Sequence, residues 1–312
     1  VRVAIPVANT DCDGDGLSHL LCHLMGGHED IKAIRACRLL RVEVPHAVRE
    51  RHFPPPKYGA AGMRAYVGAP PGRPLLGGIV KPKTGVNVPT LVAMVRELVE
   101  GGVDFIKEDE IMANFPGCPI EARVPAVMEA IRASGRRVVY AVCVNADPHR
   151  LLERVARVAA LGGNAVHLNF WCGLGAYRAV RALDLPLFVH FQQSGSRVLT
   201  HAGHEFSLDF EVLCQLAALS GVDTMHIGNL FGYSGETEEE ILRYVAALRA
   251  GGGVLPTLSC GMHPGVVNAV TAKVGPDYLA NVGGAIHGHP GGTRAGARAM
   301  RQAIDGQLDA PE

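Results

Sequence analysis

The sequence lacks the features that would assign it to several common classes of protein. Its 30 Lys and Arg balance 30 Asp and Glu, so no net charge favours binding to a nucleic-acid backbone or an anionic membrane. No apolar run approaches the roughly 18 residues that span a bilayer, and no basic region followed by an apolar run begins the chain. We therefore expect a cytoplasmic protein that binds neither nucleic acid nor membrane.

Paired cysteines are also absent. The eight cysteines stand singly in apolar or turn segments, and no CxxC pair occurs. Isolated cysteines of this kind usually behave as small, reduced hydrophobic residues. We expect them to be unpaired and mostly buried.

From about residue 74 onward, short β-branched runs alternate with amphipathic stretches of helical period, as in βα units around a parallel sheet. No GxGxxG follows the first strand, which argues against an open doubly wound sheet. Eight strand candidates are present, at residues 75–83, 103–110, 138–145, 165–171, 185–191, 223–229, 254–261 and 278–284. We predict an α/β fold with a (β/α)8 TIM barrel over residues 74–312.

Residues 1–73 have a different pattern. We expect a strand over residues 1–9, a short helix over 17–25, a strand-like segment over 34–45 and a proline-rich loop over 52–59. A segment of this size lies at the limit of roughly 70–80 residues below which a single core rarely suffices on its own. We therefore predict a small or truncated N-terminal α+β element packed on the barrel.

The second predicted barrel strand ends in Lys107, Glu108, Asp109 and Glu110. The side-chain period of two directs Lys107 and Asp109 into the barrel and Glu108 toward the outer helices, while Glu110 can turn back over the mouth. Carboxylates are hard oxygen donors that suit Mg²⁺ better than Zn²⁺. A surface salt-bridge cluster is the alternative interpretation of the same residues.

Other strand ends carry groups suited to an anionic substrate. Catalytic residues of a barrel lie at the carboxyl ends of its strands, and the turns after strands seven and eight commonly bind phosphate. Each group taken singly is also explained by a structural role. The lysines of the first strand end are Lys81 and Lys83, the histidines across the mouth are His190, His226 and His289, and the last two turns contain Ser259, Gly261, Gly283 and Gly284.

These segments resemble the large-subunit superfamily of ribulose-bisphosphate carboxylase (RuBisCO) over essentially the whole of residues 1–306. The segment GGIVKPKTG resembles the strand-one lysine motif of that family. The segment GGVDFIKEDE resembles its activator segment, in which a lysine is carbamylated by CO₂ and binds Mg²⁺ together with the Asp and Glu that follow. Its strand-six histidine segment resembles DTMHIGN, and its two phosphate-binding loops resemble TLSCGMHPG and NVGGAIHGHPGG.

The resemblance implies a role for each matching residue. Lys107 would be the lysine carbamylated by CO₂, and it would bind Mg²⁺ together with Asp109 and Glu110. Lys81 would be an acid/base residue, and His226 would contact a phosphate or hydroxyl of the substrate. The implied phosphate site consists of Lys83, Ser259, Gly261, Gly283 and Gly284. Family members build each site at a dimer interface, which implies a homodimer or a larger homo-oligomer.

Departures from the family indicate which reaction is retained. After strand five the carboxylases have a His-x-His-Arg run, which supplies a catalytic histidine and a phosphate-binding arginine, and this chain has Gln193 and Ser194 at those two positions. After strand six the carboxylases place a lysine over the incoming CO₂, and this chain has Tyr233 near that position. Gly27 stands near the place of an asparagine that reaches the neighbouring site. Capture of CO₂ needs the missing lysine, whereas enolisation needs only a metal, a carbonyl and a base.

We therefore predict a RuBisCO-like protein of the form IV type. Its expected activity is that of a Mg²⁺-dependent enolase or isomerase, which abstracts a proton α to a carbonyl of a phosphorylated ketose or diketose. A decarboxylase or transcarboxylase of a β-keto sugar-acid phosphate fits nearly as well. A true ribulose-bisphosphate carboxylase and a non-catalytic binding protein are two further alternatives. Phe170, Trp171 and Phe231 suggest an apolar end of the pocket, although each could equally belong to the core.

Overall fold

The computed structural model describes residues 1–306, and its centre is a closed barrel of eight parallel strands. The strand Leu279–Val282 pairs with the strand Leu75–Ile79, with Leu279 opposite Leu75, and this pairing closes the ring. Each predicted barrel strand overlaps one observed strand, so the predicted (β/α)8 barrel is confirmed. In order round the ring the strands are β10 (Leu279–Val282), β2 (Leu75–Ile79), β3 (Phe105–Lys107), β4 (Val139–Cys143), β5 (Ala165–Asn169), β6 (Phe188–Gln192), β8 (Thr224–Ile227) and β9 (Leu255–Leu258).

Helices surround the barrel, and the longer ones present an apolar stripe to it. In α4, Leu91, Val95 and Leu98 recur at helical spacing and are fully buried, and the Asn87 side chain caps the first turn by accepting from the Thr90 N–H at 2.9 Å. The helices of the barrel region are α4 (Val88–Glu100), α5 (Ile120–Ala133), α6 (Pro148–Ala160), α7 (Leu174–Ala182), α8 (Arg197–Thr200), α9 (Phe210–Leu219), α10 (Glu238–Ala250), α11 (Val267–Val274), α12 (Gly284–His287) and α13 (Gly292–Ile304).

The segment before the barrel differs from its prediction. The expected strand over residues 1–9 is wrong: residues 7–9 form one 3₁₀ turn, and no strand within residues 1–306 pairs with this segment. Alternating apolar residues suit a strand, but a strand also needs a partner. The expected helix is present as α1 (Gly16–Met25). The segment 34–45 contains only β1 (Cys37–Leu39), which pairs in parallel with β7 (Phe206–Leu208), and it is followed by an unpredicted helix, α2 (His46–His52).

Helix α3 (Gly59–Val67) fills the amino-terminal end of the barrel. Its Met63 is fully buried against an apolar cluster formed by the first residues of the barrel strands, among them Leu75, Phe105 and Leu279. The Asp223 carboxylate fixes the start of this helix by accepting from the backbone N–H of Tyr58 at 2.8 Å and of Gly59 at 2.9 Å. The carboxyl ends of the strands therefore form the opposite, open end of the barrel, which we call the mouth.

All eight cysteines are free, but only Cys118, Cys143 and Cys214 are buried, so the expectation that most are buried is wrong. Within residues 1–306, no helix is both long and apolar enough to cross a membrane.

Candidate active site at the mouth of the barrel

The centre of the site is Lys107, the last residue of β3. Its side chain is 1% exposed, and its Nζ donates to the Glu108 carbonyl oxygen at 2.8 Å and lies 3.5 Å from Glu110 Oε2. Burial lowers the pKa of Lys107, although the charges of Glu110 and Asp109 act in the opposite direction. The neutral amine is therefore more accessible here than in an exposed lysine.

Asp109 lies beside a second lysine, Lys81, which follows the end of β2. Asp109 Oδ2 accepts from Lys81 Nζ at 2.7 Å; the carboxylate is 1% exposed and the lysine side chain 33%. Strands β2 and β3 are adjacent, with Ile79 opposite Lys107, so their ends reach the mouth together. The fold thus brings both lysines and Asp109 to one place.

Glu110 turns across the mouth toward the end of β6, as the pattern predicts. Its Oε2 accepts from Gln192 Nε2 at 3.1 Å, and its Oε1 accepts from Ser194 Oγ at 2.8 Å. Burial alone would raise the pKa of Glu110, but the charge of Lys107 and the hydrogen bond from Ser194 lower it to about 2. The carboxylate is therefore ionised at neutral pH.

Glu108 points away from the mouth, toward the outer helices, as predicted. Its oxygens accept from Arg123 of α5, Nε to Oε1 at 2.7 Å and Nη2 to Oε2 at 3.0 Å, and both side chains are fully buried. Tyr140 Oη also donates to this carboxylate, as does the Cys143 N–H at 2.8 Å. This network fixes the end of β3, and with it the residues on either side of Glu108.

Three histidines line the inside of the barrel near Lys107. His226 Nε2 is hydrogen-bonded to Ser259 Oγ, and burial together with the charge of Lys107 lowers the pKa of His226 to about 3. His167 and His190 are buried, have no hydrogen-bond partner within residues 1–306 at either ring nitrogen, and have lowered pKa values, mainly because of burial. His167 was not predicted as a site residue, although it lies within a predicted barrel strand, and the structure places it opposite His190 in the next strand.

The third predicted histidine of the mouth, His289, occupies a different setting. It lies beyond α12, where its Nδ1 accepts from the Gly291 N–H at 3.0 Å and so caps a turn. Its neighbour His287 instead contacts the barrel, since its Nε2 is 2.7 Å from the carbonyl oxygen of Ile79 at the end of β2. The sequence could not distinguish these two imidazoles two positions apart.

The predicted phosphate-binding residues lie at the ends of the last two barrel strands. Gly261 has φ +109°, and a Cβ there would lie 2.9 Å from Gly232 Cα, so the loops after β8 and β9 are in close contact. A Cβ on Gly283 would lie 3.6 Å from Lys81 Cε, which places this glycine beside the lysine. Gly284 begins α12 and is exposed, as is Lys83.

The residues after β6 and the aromatic rim differ in part from expectation. Gln192 and Ser194 reach Glu110, whereas the Gln193 side chain turns away and accepts from Ser196 Oγ at 2.6 Å. Gln192 was missed because its contact joins two strands that are not adjacent in the barrel. Of the aromatic residues predicted near the pocket, Phe170 is buried, whereas Trp171 and Phe231 are exposed.

The oxygen ligands at the mouth suit a hard cation if Lys107 is carbamylated. Within residues 1–306, no three His, Cys, Asp or Glu side chains are grouped so that they could hold a metal. Asp109 and Glu110 provide carboxylate oxygens, and an unmodified ammonium at Lys107 cannot be a ligand. A carbamate on Lys107 would add the missing oxygens, and an all-oxygen set of this kind fits Mg²⁺.

Comparison with known proteins identifies the family. Residues 63–252 and 251–311 match the family model of the ribulose bisphosphate carboxylase large chain, catalytic domain. The chain belongs to this RuBisCO family. The predicted resemblance to the RuBisCO superfamily is therefore confirmed.

Similar RuBisCO-family proteins carry different activities in their names. A 3-oxo-isoapionate-4-phosphate decarboxylase of Rhizobium etli is 34% identical over 97% of this chain and 74% of its own length. A 2,3-diketo-5-methylthiopentyl-1-phosphate enolase of Geobacillus thermodenitrificans is 31% identical over 99% of this chain and 75% of its own. The octameric ribulose-1,5-bisphosphate carboxylase/oxygenase of Pyrococcus horikoshii has a TM-score of 0.89 and 30% identity, covering 97% of this chain and 73% of that one. RuBisCO-family membership supports an enzyme activity, but the reaction has to be argued from the site.

Proposed function

We propose that this RuBisCO-family chain is a metal-dependent enolase or isomerase, which abstracts a proton α to a carbonyl of a phosphorylated ketose or diketose. The observation that carries the proposal is the convergence of Lys81, Lys107, Asp109 and Glu110 at the mouth of the barrel. The relative described as a diketo-sugar-phosphate enolase supports the same class of reaction.

We assign a Mg²⁺ site to Asp109, Glu110 and Lys107, with CO₂ bound as a carbamate on Lys107. When bound, Mg²⁺ polarises the carbonyl of the substrate and stabilises the negative charge that develops on its oxygen. Burial, by lowering the pKa of Lys107, increases the neutral fraction of the amine, which is the form that reacts with CO₂. Glu110, with a pKa of about 2, contributes a full negative charge.

Lys81 is assigned the acid/base role. Its Nζ is hydrogen-bonded to Asp109, while a third of its side chain is exposed at the mouth, so one amine can contact both the carboxylate and a substrate. In its neutral form Lys81 accepts the α-proton, and Asp109 stabilises the ammonium that results. The same ammonium then returns the proton to carbon or to oxygen.

The far end of the substrate is assigned to the loops after β8, β9 and β10. His226 Nε2 is hydrogen-bonded to Ser259 Oγ, and we assign this pair to a hydroxyl or phosphate oxygen of the substrate. Backbone N–H groups at Gly261, Gly283 and Gly284 suit a phosphate, and Lys83 adds a positive charge. Such a site holds the substrate so that its α-carbon lies near Lys81.

The proposal is tested by exchange of the substrate α-proton in D₂O, followed by NMR over a panel of phosphorylated ketoses and diketoses. We expect exchange that requires Mg²⁺ and bicarbonate and that disappears in Lys107→Ala. Lys273→Ala is the matched control, because this exposed lysine pairs with Glu238 of an outer helix at 2.6 Å and contacts none of the proposed metal ligands. Unchanged exchange in Lys107→Ala would contradict the assignment.

A second candidate is a decarboxylase of a β-keto sugar-acid phosphate, which the 34% identical decarboxylase relative favours. In this reaction the bond between the carboxylate and the α-carbon breaks and CO₂ leaves. The electron pair remains on the α-carbon, and Lys81 donates a proton to it. Release of CO₂ from a β-keto sugar-acid phosphate, measured by ¹³C NMR, would select this candidate over simple proton exchange.

True carboxylation is less well supported by the residues. The loop at 228–237 contains no lysine, and Tyr233, near the place where a carboxylase has one, is 84% exposed. Incorporation of ¹⁴CO₂ into ribulose bisphosphate tests this alternative.

We also propose that the chain forms a homodimer or larger homo-oligomer, as the octameric relative suggests, and light scattering on the purified protein measures this directly.

A further inference from the structure

Both carboxylate oxygens of Glu110 are held from the end of β6. Gln192 Nε2 donates to Oε2 at 3.1 Å, and Ser194 Oγ donates to Oε1 at 2.8 Å. These contacts join β3 to residues more than 80 positions later in the chain. Each carboxylate oxygen has two lone pairs, so Oε1 keeps one free for a cation, whereas the second lone pair of Oε2 faces Lys107 Nζ at 3.5 Å. Carbamylation of Lys107 would remove that ammonium and free this lone pair as well.

The two donors are themselves fixed in orientation. Gln192 is 1% exposed, and its Oε1 accepts from the Gln193 N–H at 2.8 Å, which directs its NH₂ group toward Glu110. The carbonyl oxygen of Ser194 accepts from Asn169 Nδ2 at 3.0 Å, so the backbone that carries the hydroxyl is also anchored. Neither donor is a freely rotating surface group.

These contacts close a ring of hydrogen bonds over four consecutive barrel strands. Asn145, after β4, donates through Nδ2 to the Glu110 carbonyl at 2.6 Å, and its Oδ1 accepts from the Asn169 N–H at 2.7 Å. Asn169, at the end of β5, donates to Ser194, which donates back to the Glu110 carboxylate. Glu110 is thus fixed at its main chain and at its side chain by one network.

We infer that Gln192 and Ser194 are positioning residues, which hold the Glu110 carboxylate in the orientation that lets it bind the metal. The inference rests on the proposed function. At the end of β6 this chain has two neutral donors directed at a carboxylate, where a cationic side chain would compete with the metal for the same oxygens. Partners that orient a ligand in this way typically contribute 10–100-fold to metal affinity.

The test measures Mn²⁺ binding by the full chain in the presence of bicarbonate, with free Mn²⁺ quantified by electron paramagnetic resonance. We expect Ser194→Ala and Gln192→Met each to raise the Mn²⁺ dissociation constant roughly 10–100-fold. Ser194→Thr keeps the hydroxyl and is expected to restore binding. Ser196→Ala is the matched control, because this buried serine belongs to the same segment but donates to Gln193 and not to Glu110.

Each outcome has a defined meaning. Tight Mn²⁺ binding by wild type and equally tight binding by Ser194→Ala and Gln192→Met would overturn the positioning role alone. Absence of Mn²⁺ binding in every protein, including wild type and Ser196→Ala, would overturn the metal assignment and the inference with it. Thermal unfolding of each variant is recorded first, and the two substitutions act on different oxygens of Glu110, so failure of one variant to fold leaves the other as the test.

Discussion

Lys81 Nζ lies 2.7 Å from Asp109 Oδ2, although the two residues are 28 positions apart and follow different barrel strands. The carboxylate is almost completely buried while part of the lysine is exposed. The ion pair therefore holds the amine at the boundary between the barrel interior and the mouth. A group in this place can contact a substrate without losing its carboxylate partner.

Lys81→Met is expected to abolish proton exchange without weakening metal binding. The change removes the amine but keeps an unbranched side chain, and loss of general acid/base catalysis typically costs 10²–10⁴-fold in rate. Loss of a positive charge beside Asp109 does not disfavour a cation there. Proton exchange by NMR and Mn²⁺ binding by paramagnetic resonance separate the two effects, with Lys273→Met as the surface control. A variant that exchanges the proton at the wild-type rate would exclude Lys81 as the base.

Arg123→Met is expected to destabilise the fold strongly. It leaves the Glu108 carboxylate buried without its partner, and breaking a buried ion pair in this way costs about 3–5 kcal/mol. Arg132→Met is the matched control on the same helix, because Arg132 and its partner Glu129 are each 67% exposed and such pairs contribute about 1 kcal/mol or less. Urea unfolding of both variants gives the comparison. Equal losses of unfolding free energy would show that the Glu108 network does not support β3.

Prediction from the sequence succeeded where local pattern decides the structure. Runs of β-branched residues at regular spacing predict the eight barrel strands, and the period of two correctly places Glu108 against the helices and directs Glu110 over the mouth. It failed where a contact depends on distant parts of the chain. Residues 1–9 alternate like a strand but have no strand partner within residues 1–306. The pairing of β1 with β7 joins residues about 170 positions apart, which no local pattern can predict.

The same distinction between local pattern and distant contacts applies to the residues of the candidate site. The positions of residues at or just after the end of a strand, such as Lys107 and Asp109, could be predicted because the carboxyl end of a barrel strand determines where they lie. The contact from Gln192 to Glu110 depends on the distance across the barrel mouth, which strand periodicity does not contain. His289 was expected beside the other histidines, but its Nδ1 caps the turn after α12, and this turn leaves no clear mark in the sequence.

Gly261→Ala is expected to damage both the phosphate site and the fold. A side chain at a positive φ costs roughly 1–2 kcal/mol, and here the new Cβ would also press on Gly232 in the loop after β8. Gly275→Ala is the matched control, since Gly275 has φ +78° but nothing within 4 Å of a Cβ. We expect a larger loss of stability in Gly261→Ala than in Gly275→Ala, because only the first substitution presses on backbone, and a raised KM only in Gly261→Ala. An unchanged KM would remove Gly261 from the phosphate site.

Stability is expected to fall as the pH decreases below about 6.5, in part because of His226. Its pKa is about 3 in the folded protein and near 6.5 in the unfolded chain, so between these values only the unfolded chain binds the proton and acid favours unfolding. One such group contributes at most about 1.4 kcal/mol per pH unit. Burial lowers the pKa of His167 and His190 as well, and they act in the same direction.

His226→Gln should therefore reduce the slope of unfolding free energy against pH by up to one proton, measured by urea unfolding between pH 7 and pH 5. Glu110 titrates below this range because its folded pKa is about 2. A slope unchanged by the substitution would mean that His226 takes up its proton over the same pH range in the folded protein and in the unfolded chain.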